Sequence, residues 1–391
     1  MYVPAWQGLS PRHLLRQRGS DPLPFPLGER KAIQFYRASS ALYHLFKALP
    51  LEKGQIALVP DYHSGNEIWA IRAAGVPVRT YPIGRDLRPD LETLDRLATP
   101  EARVLLLIQY LGWPQPMKEI QDLCRRKGLI LVEDCALSLL SRDGGQPLGT
   151  FGNYAVFCLY KTLPLPNGAL LVQNTQPLPG LSSLPLRTCT FRSVAGRSME
   201  LMLGWLRSHH EITGKSLYTL KKAAGRALDV LRVRRHPLGD IGFDVSHVNI
   251  GMSSLSQHLI QRLDYAQIVR TRRRNYELLR SRLGHRTSLL RPDLPEGMVP
   301  LFFPLLVADK QAAAERLWRH GIEAVQFWNE GVPGVDGEPS SDARFLRRHV
   351  LELPIHQEVS ASQVEYIAEM VLSSPHVFGP ISLRRPEAAA S

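Results

Sequence analysis

From about residue 35 to residue 175, short apolar runs alternate with amphipathic stretches. The runs are "QIALVP" (55–60), "VRTYPI" (78–83), "VLLLIQY" (104–110), "LILVED" (129–134) and "YAVFCLY" (154–160). Several are apolar without interruption, the pattern of strands buried on both faces. Between them lie helix-like segments, "SSALYHLFKAL", "GNEIWAIRAAG", "DLETLDRLA" and "MKEIQDLCRRKG". The alternation predicts an α/β fold with a largely parallel, doubly covered sheet. Residues 176 to about 248 are less regular. A helical stretch follows from about 253 to 283, and then strand, helix, strand, helix: "VPLFFPLLVA", "QAAAERLWRHG", "IEAVQF" and "SASQVEYIAEMVLS". This predicts a second, smaller α+β domain. The boundaries expected are a 1–34 N-terminal extension, a 35–252 large domain, a 253–383 unit of long helix and small domain, and a disordered tail at 384–391.

Composition changes this picture little. The chain has 391 residues, 44% hydrophobic and 21% charged, as in ordinary globular proteins. Its four cysteines form no C-x-x-C pair, which favours reduced thiols and the cytoplasm, and no metal site is assigned. The N-terminus has no signal-type apolar core. The most apolar window, "MVPLFFPLLVA", is too short to span a bilayer, so no membrane partner is expected. The net charge is +12, much of it in "KKAAGRALDVLRVRRH" (221–236) and "RTRRRNYELLRSRLGHR" (270–286). No nucleic-acid motif accompanies it. Solvated helix faces explain it most simply, with steering of a small phosphorylated substrate as an intermediate reading.

Open α/β sheets bind ligands beyond the carboxyl ends of their strands. Four such ends carry chemistry here. Ser39 and Ser40 open a helix, as an N-cap or as an anion site. Tyr62 and His63 follow a strand, as loop packing or as a group to stack on a flat ring. Glu133 and Asp134 end another; Asp134 serves as a helix cap or as the partner of a cationic ligand. Lys161 ends the strand "AVFCL", where it either snorkels or loses its proton. Taken together, the four suit one flat cofactor that carries a phosphate, a basic ring nitrogen and an aldehyde: pyridoxal 5′-phosphate (PLP).

On these and further stretches the chain resembles the DegT/DnrJ/EryC1/StrS aminotransferases, the sugar-aminotransferase group of fold-type I PLP enzymes. The matching stretches are "SSAL" (39–42), "AAGVPV" (73–78), "YLGWPQPMKEIQDLCRRKGLILVEDCA" (110–136), "GTFGNYAVFCLYK" (149–161), "VNIGMSSLSQHLIQRLD" (248–264) and "LELPIHQEVSASQVEYIAE" (351–369). The resemblance implies a mostly parallel sheet of the seven-stranded type covered by helices. It implies Lys161 as the Schiff-base lysine, Asp134 on the pyridine nitrogen, and Ser39 with Ser40 on the phosphate. Asn249 matches an asparagine that reaches a phosphate across a dimer interface, so a homodimer with shared active sites is implied. The activity implied is transfer of an amino group from glutamate to a keto-sugar, nucleotide-linked, in polysaccharide or secondary-metabolite biosynthesis. The chain also departs from the family pattern. Leu137 stands where Gln or His meets the cofactor's phenolic oxygen, and Cys158 stands where a serine is usual. The segment before Lys161 is two residues short. Ser64 falls where an aromatic stacker is expected, leaving the neighbouring His63 for that role. These departures keep two alternatives open: a PLP-dependent sugar dehydratase or other PLP reaction, and a non-catalytic binding or scaffold relative.

Overall fold

The computed structural model describes residues 1–15, 22–175, 177–210, 242–332 and 339–381. The basic stretch 221–236 and the tail 384–391 lie outside the described residues.

Twelve strands are present among them. β1 (Ile33–Phe35), β2 (Ile56–Pro60), β3 (Val78–Tyr81), β4 (Ala102–Ile108), β5 (Ile130–Asp134), β8 (Tyr154–Cys158) and β9 (Ala169–Gln173) form one seven-stranded sheet of order β1-β9-β8-β5-β4-β2-β3. The run from β3 to β8 is parallel; β9 and β1 are antiparallel to their neighbours. β6 (Arg142–Asp143) and β7 (Gln146–Pro147) make a small hairpin. The apolar runs supply both faces of the sheet. On β4, Val104 and Leu106 join the cluster under the helix Ala38–Ala48, which contributes Leu42, Leu45 and Phe46. Leu105 and Leu107 point the other way, into a cluster with Trp113, Ile120 and Leu123. Full burial of one such leucine side chain contributes about 1.5–3 kcal/mol, which explains why uninterrupted apolar strands hold the centre. The helix Met117–Lys127 stops at Gly128, whose φ of 67° is the left-handed cap that glycine adopts without steric cost.

The stretch 253–283, read as a single helix, is two. Ser254–Ile260 and Tyr265–Leu283 are separated at residues 261–264, because Asp264 turns its carboxylate onto the Gln267 N–H and starts a new N-terminus. The smaller unit carries the antiparallel sheet β10 (Ser288–Leu289), β11 (Phe303–Leu306) and β12 (Val350–Leu353) with the helices Lys310–Arg319, Ser341–His349 and Ala361–Leu372. "IEAVQF" is not a strand of that sheet. It makes two isolated bridges, Ile322 to Val3 and Val325 to Glu352, since its hydrogen bonds are divided between the N-terminal segment and β12. Tyr2 and Val3 are thus tied to the small unit, with Val3 N–H donating to Gly321 O at 2.9 Å and Gln363 donating to Tyr2 O at 2.9 Å. All four cysteines are free. No described helix is long and apolar enough to cross a membrane.

Candidate active site

β5, β8 and the loops after β1 and β2 end at one edge of the sheet. There they enclose a cleft lined by Arg37, Ser39, Ser64, Glu67, Asp134, Cys158, Tyr160 and Lys161, among others. The helix Ala38–Ala48 points its N-terminus into this cleft. Its N-cap, Arg37, gives no side-chain cap, so the first-turn N–H groups lack the usual serine or aspartate acceptor. Ser39 lines the cleft; Ser40, in the same turn, is fully buried with a hydroxyl that has no partner.

Glu133 and Asp134 are adjacent on β5 and have different work. Glu133 is fully buried, and four donors converge on it: Gln109 Nε2 and the N–H groups of Gly149, Phe151 and Gly152, at 2.7–2.9 Å. It knits the loop before β8 to β5. Asp134 faces the cleft. Burial raises its pKa, against the Ala136 N–H that donates to Oδ1 at 2.9 Å and against the positive charge of Lys161. Lys161 follows β8 after a short turn and sets its Nζ 5.7 Å from the centre of the Phe327 ring. Cys158 lines the same wall, its thiol pushed up to about 11 by burial.

Tyr62 and His63 do not line the cleft. Tyr62 packs into the core, its ring 4.8 Å from that of Trp328, and its carbonyl accepts from the Tyr110 hydroxyl at 2.6 Å. His63 is buried, and burial beside the Arg347 guanidinium lowers its pKa to about 3, so it stays neutral. The next residue, Ser64, is the one that reaches the cleft. Leu137 is buried in a cluster with Tyr62, Tyr110 and Trp328. Asn249 lies outside the cleft of its own chain, within hydrogen-bonding reach of His44.

Three residues that the sequence did not single out shape the site. Glu67 opens the helix Asn66–Ala73 and faces Asp134 and Lys161; an acid in a first turn reads as a partner of the helix dipole, so its pattern gave no cue. Arg347, on the helix Ser341–His349, donates to the carbonyls of Asp61, His63, Trp328 and Glu330 and fixes the loop after β2 to the small unit. Arg272 is fully buried. It donates to Thr162 O, Pro300 O, Leu301 O, Gln7 Oε1 and Gln357 Oε1, bracing the loop just beyond Lys161.

Residues 26–176, the part of the chain that builds this edge of the sheet, match the DegT/DnrJ/EryC1/StrS aminotransferase family. The likeness to that family lies in this stretch. Over 164 residues it is 30% identical to a dTDP-4-dehydro-2,3,6-trideoxy-D-glucose 4-aminotransferase of Saccharopolyspora spinosa, a match that covers 40% of this chain and 41% of that relative. The match thus spans about two fifths of the relative's length. The likeness in fold to solved structures extends much further. The Helicobacter pylori aminotransferase PseC, described as involved in the biosynthesis of pseudoaminic acid, superposes with a TM-score of 0.69 at 15% identity, covering 96% of this chain and all of that one. A putative sugar aminotransferase of Streptococcus pneumoniae, solved in a PLP form, gives 0.68 at 15% identity over 96% and 99% of the two chains.

Proposed function

We propose that this protein is a PLP-dependent aminotransferase that takes an amino group from glutamate and places it on a keto-sugar, nucleotide-linked, as a homodimer with shared sites. The observation that carries the reading is the convergence of Ser39, Asp134 and Lys161 from three separate strand ends on one cleft. The donor set fits the cofactor. An uncapped helix N-terminus with a buried, unpartnered Ser40 hydroxyl suits a phosphate. A buried carboxylate with a single N–H donor to Oδ1 suits a protonated ring nitrogen. A lysine in the same cleft suits an aldehyde. Bound there, PLP supplies an electron sink for the carbanion left when an amino donor loses its Cα proton.

Each residue then has a physical task. Lys161 Nζ holds the cofactor and, once free, is the base that carries the proton. Asp134 keeps its negative charge at the ring nitrogen, and its burial makes that charge act at low dielectric. Ser39 and Ser40 fix the phosphate. Asn249 serves the phosphate of a neighbouring subunit. Arg37, buried at the mouth, adds positive charge that suits anionic ligands.

Adding PLP to purified protein tests this. A visible band that borohydride bleaches, and that glutamate converts to the aminated form of the cofactor, is the expected result. A band without the glutamate response favours the dehydratase alternative, and a protein that takes up no PLP favours the scaffold.

A further inference from the structure

Glu67 is 8% exposed, and the Ser64 hydroxyl donates to its Oε2 at 2.7 Å. Ser64 and Glu67 line the same cleft as Asp134 and Lys161. The wall after β2, where a flat ring would be covered, therefore presents a hydrogen-bonded hydroxyl–carboxyl pair instead of an aromatic face. Tyr62 and His63 are turned into packing, and Leu137 offers no polar atom. The charged and titratable groups that face Glu67 are Asp134 from β5, Lys161 from the turn after β8, and Arg347 and Tyr110 from behind. Burial and the charge of Asp134 push Glu67 up to about 7, with the Ser64 hydrogen bond and Lys161 opposing. A buried acid that shares one lysine with a second buried acid brings more desolvation cost than ion pairing. Packing alone does not account for it.

We propose that Glu67, aligned by Ser64, touches the ring-and-aldehyde cofactor held by Asp134 and Lys161 and sets the ionisation of the Lys161 nitrogen joined to it. This rests on the PLP reading above. The direction follows from charge. An ionised Glu67 favours the protonated nitrogen, so the cofactor band keeps its protonated form to higher pH than it would with a neutral wall.

The experiment is a pH titration of the visible band of PLP-loaded protein, for wild type, Glu67→Gln, Glu67→Asp and Ser64→Ala. Glu67→Gln is expected to lower the midpoint by at least one pH unit, and Glu67→Asp to restore part of the shift. Ser64→Ala, which lets Glu67 keep its proton longer, should lower the midpoint by less. Loss of PLP from a Glu67→Gln protein with unchanged circular dichroism also supports contact. An unchanged midpoint in Glu67→Gln overturns the inference alone, whereas a wild type that forms no band overturns the PLP reading with it. Should Glu67→Gln fail to fold, an unmoved midpoint in Ser64→Ala decides against the inference.

Discussion

The Gln7 side-chain amide donates to the Leu163 carbonyl at 2.8 Å and to the Tyr160 carbonyl at 3.1 Å. These carbonyls bracket Lys161, and Thr162 O between them accepts from both Arg272 and Gln357. The short lysine loop is therefore held from outside, by the N-terminal segment and the small unit. Gln7→Ala removes two hydrogen bonds to buried carbonyls and leaves Arg272 without one acceptor. At about 1–3 kcal/mol for each buried polar group left unsatisfied, the variant should lose several kcal/mol in urea unfolding. A variant within a few tenths of wild type would show that the loop holds itself.

Arg272 is the stiffer brace. Its guanidinium reaches five acceptors, and burial lowers its pKa to about 9. A lysine ammonium has three donors and no fork. Arg272→Lys should therefore destabilise by roughly 3 kcal/mol or more, lowering Tm by several degrees. A Tm shift below about 1 °C would mean that Gln357 alone suffices to hold Thr162 O.

Glu67 predicts a pH dependence that needs no cofactor. The folded protein holds its proton up to about 7, and the unfolded chain releases it near 4.5. Between those values the folded state binds more protons, so this group's contribution is fully present below about 4.5 and is lost as pH rises to about 7. Glu67→Gln removes the dependence. The stability of the variant relative to wild type should climb across that window by up to about 3 kcal/mol, read by urea unfolding at a series of pH values. A flat difference would place Glu67 in contact with water.

Asn249→Ala should weaken PLP retention by roughly tenfold or more, since a hydrogen bond to an anion contributes about 1.5–3 kcal/mol. Dilution to monomer should release PLP as well. Mixing Lys161→Ala with Asn249→Ala protein should regenerate some intact sites after subunit exchange. Exchanged dimers without recovered activity would defeat the shared-site proposal.

The strands of the large sheet were legible because Val104–Ile108 and Tyr154–Cys158 are apolar on both faces, which only a doubly covered sheet tolerates. The break at Asp264 was not, because a polar residue inside a helical pattern reads the same whether it caps or faces solvent. "IEAVQF" carries strand residues, yet its partners come from residue 3 and residue 352, distances along the chain that no local pattern encodes. In the site, the strand-end rule picked out Ser39, Asp134 and Lys161, and these line one cleft; Cys158, on the same wall, was named only by the family resemblance. The rule could not tell which of Tyr62, His63 and Ser64 turns inward, since one residue of register reverses the answer. Gln7 and Arg272 act on backbone carbonyls, and such contacts leave no mark in composition or spacing.

The proposed activity depends most on Lys161 as the group that holds the cofactor, and that can be read directly. Wild-type protein loaded with PLP, reduced with borohydride and digested should yield one phosphopyridoxyl peptide, with the label on Lys161. Lys161→Ala should fold, keep its circular dichroism and give no reducible band. A label on another lysine, or a Lys161→Ala protein that retains the reducible band, would contradict the account.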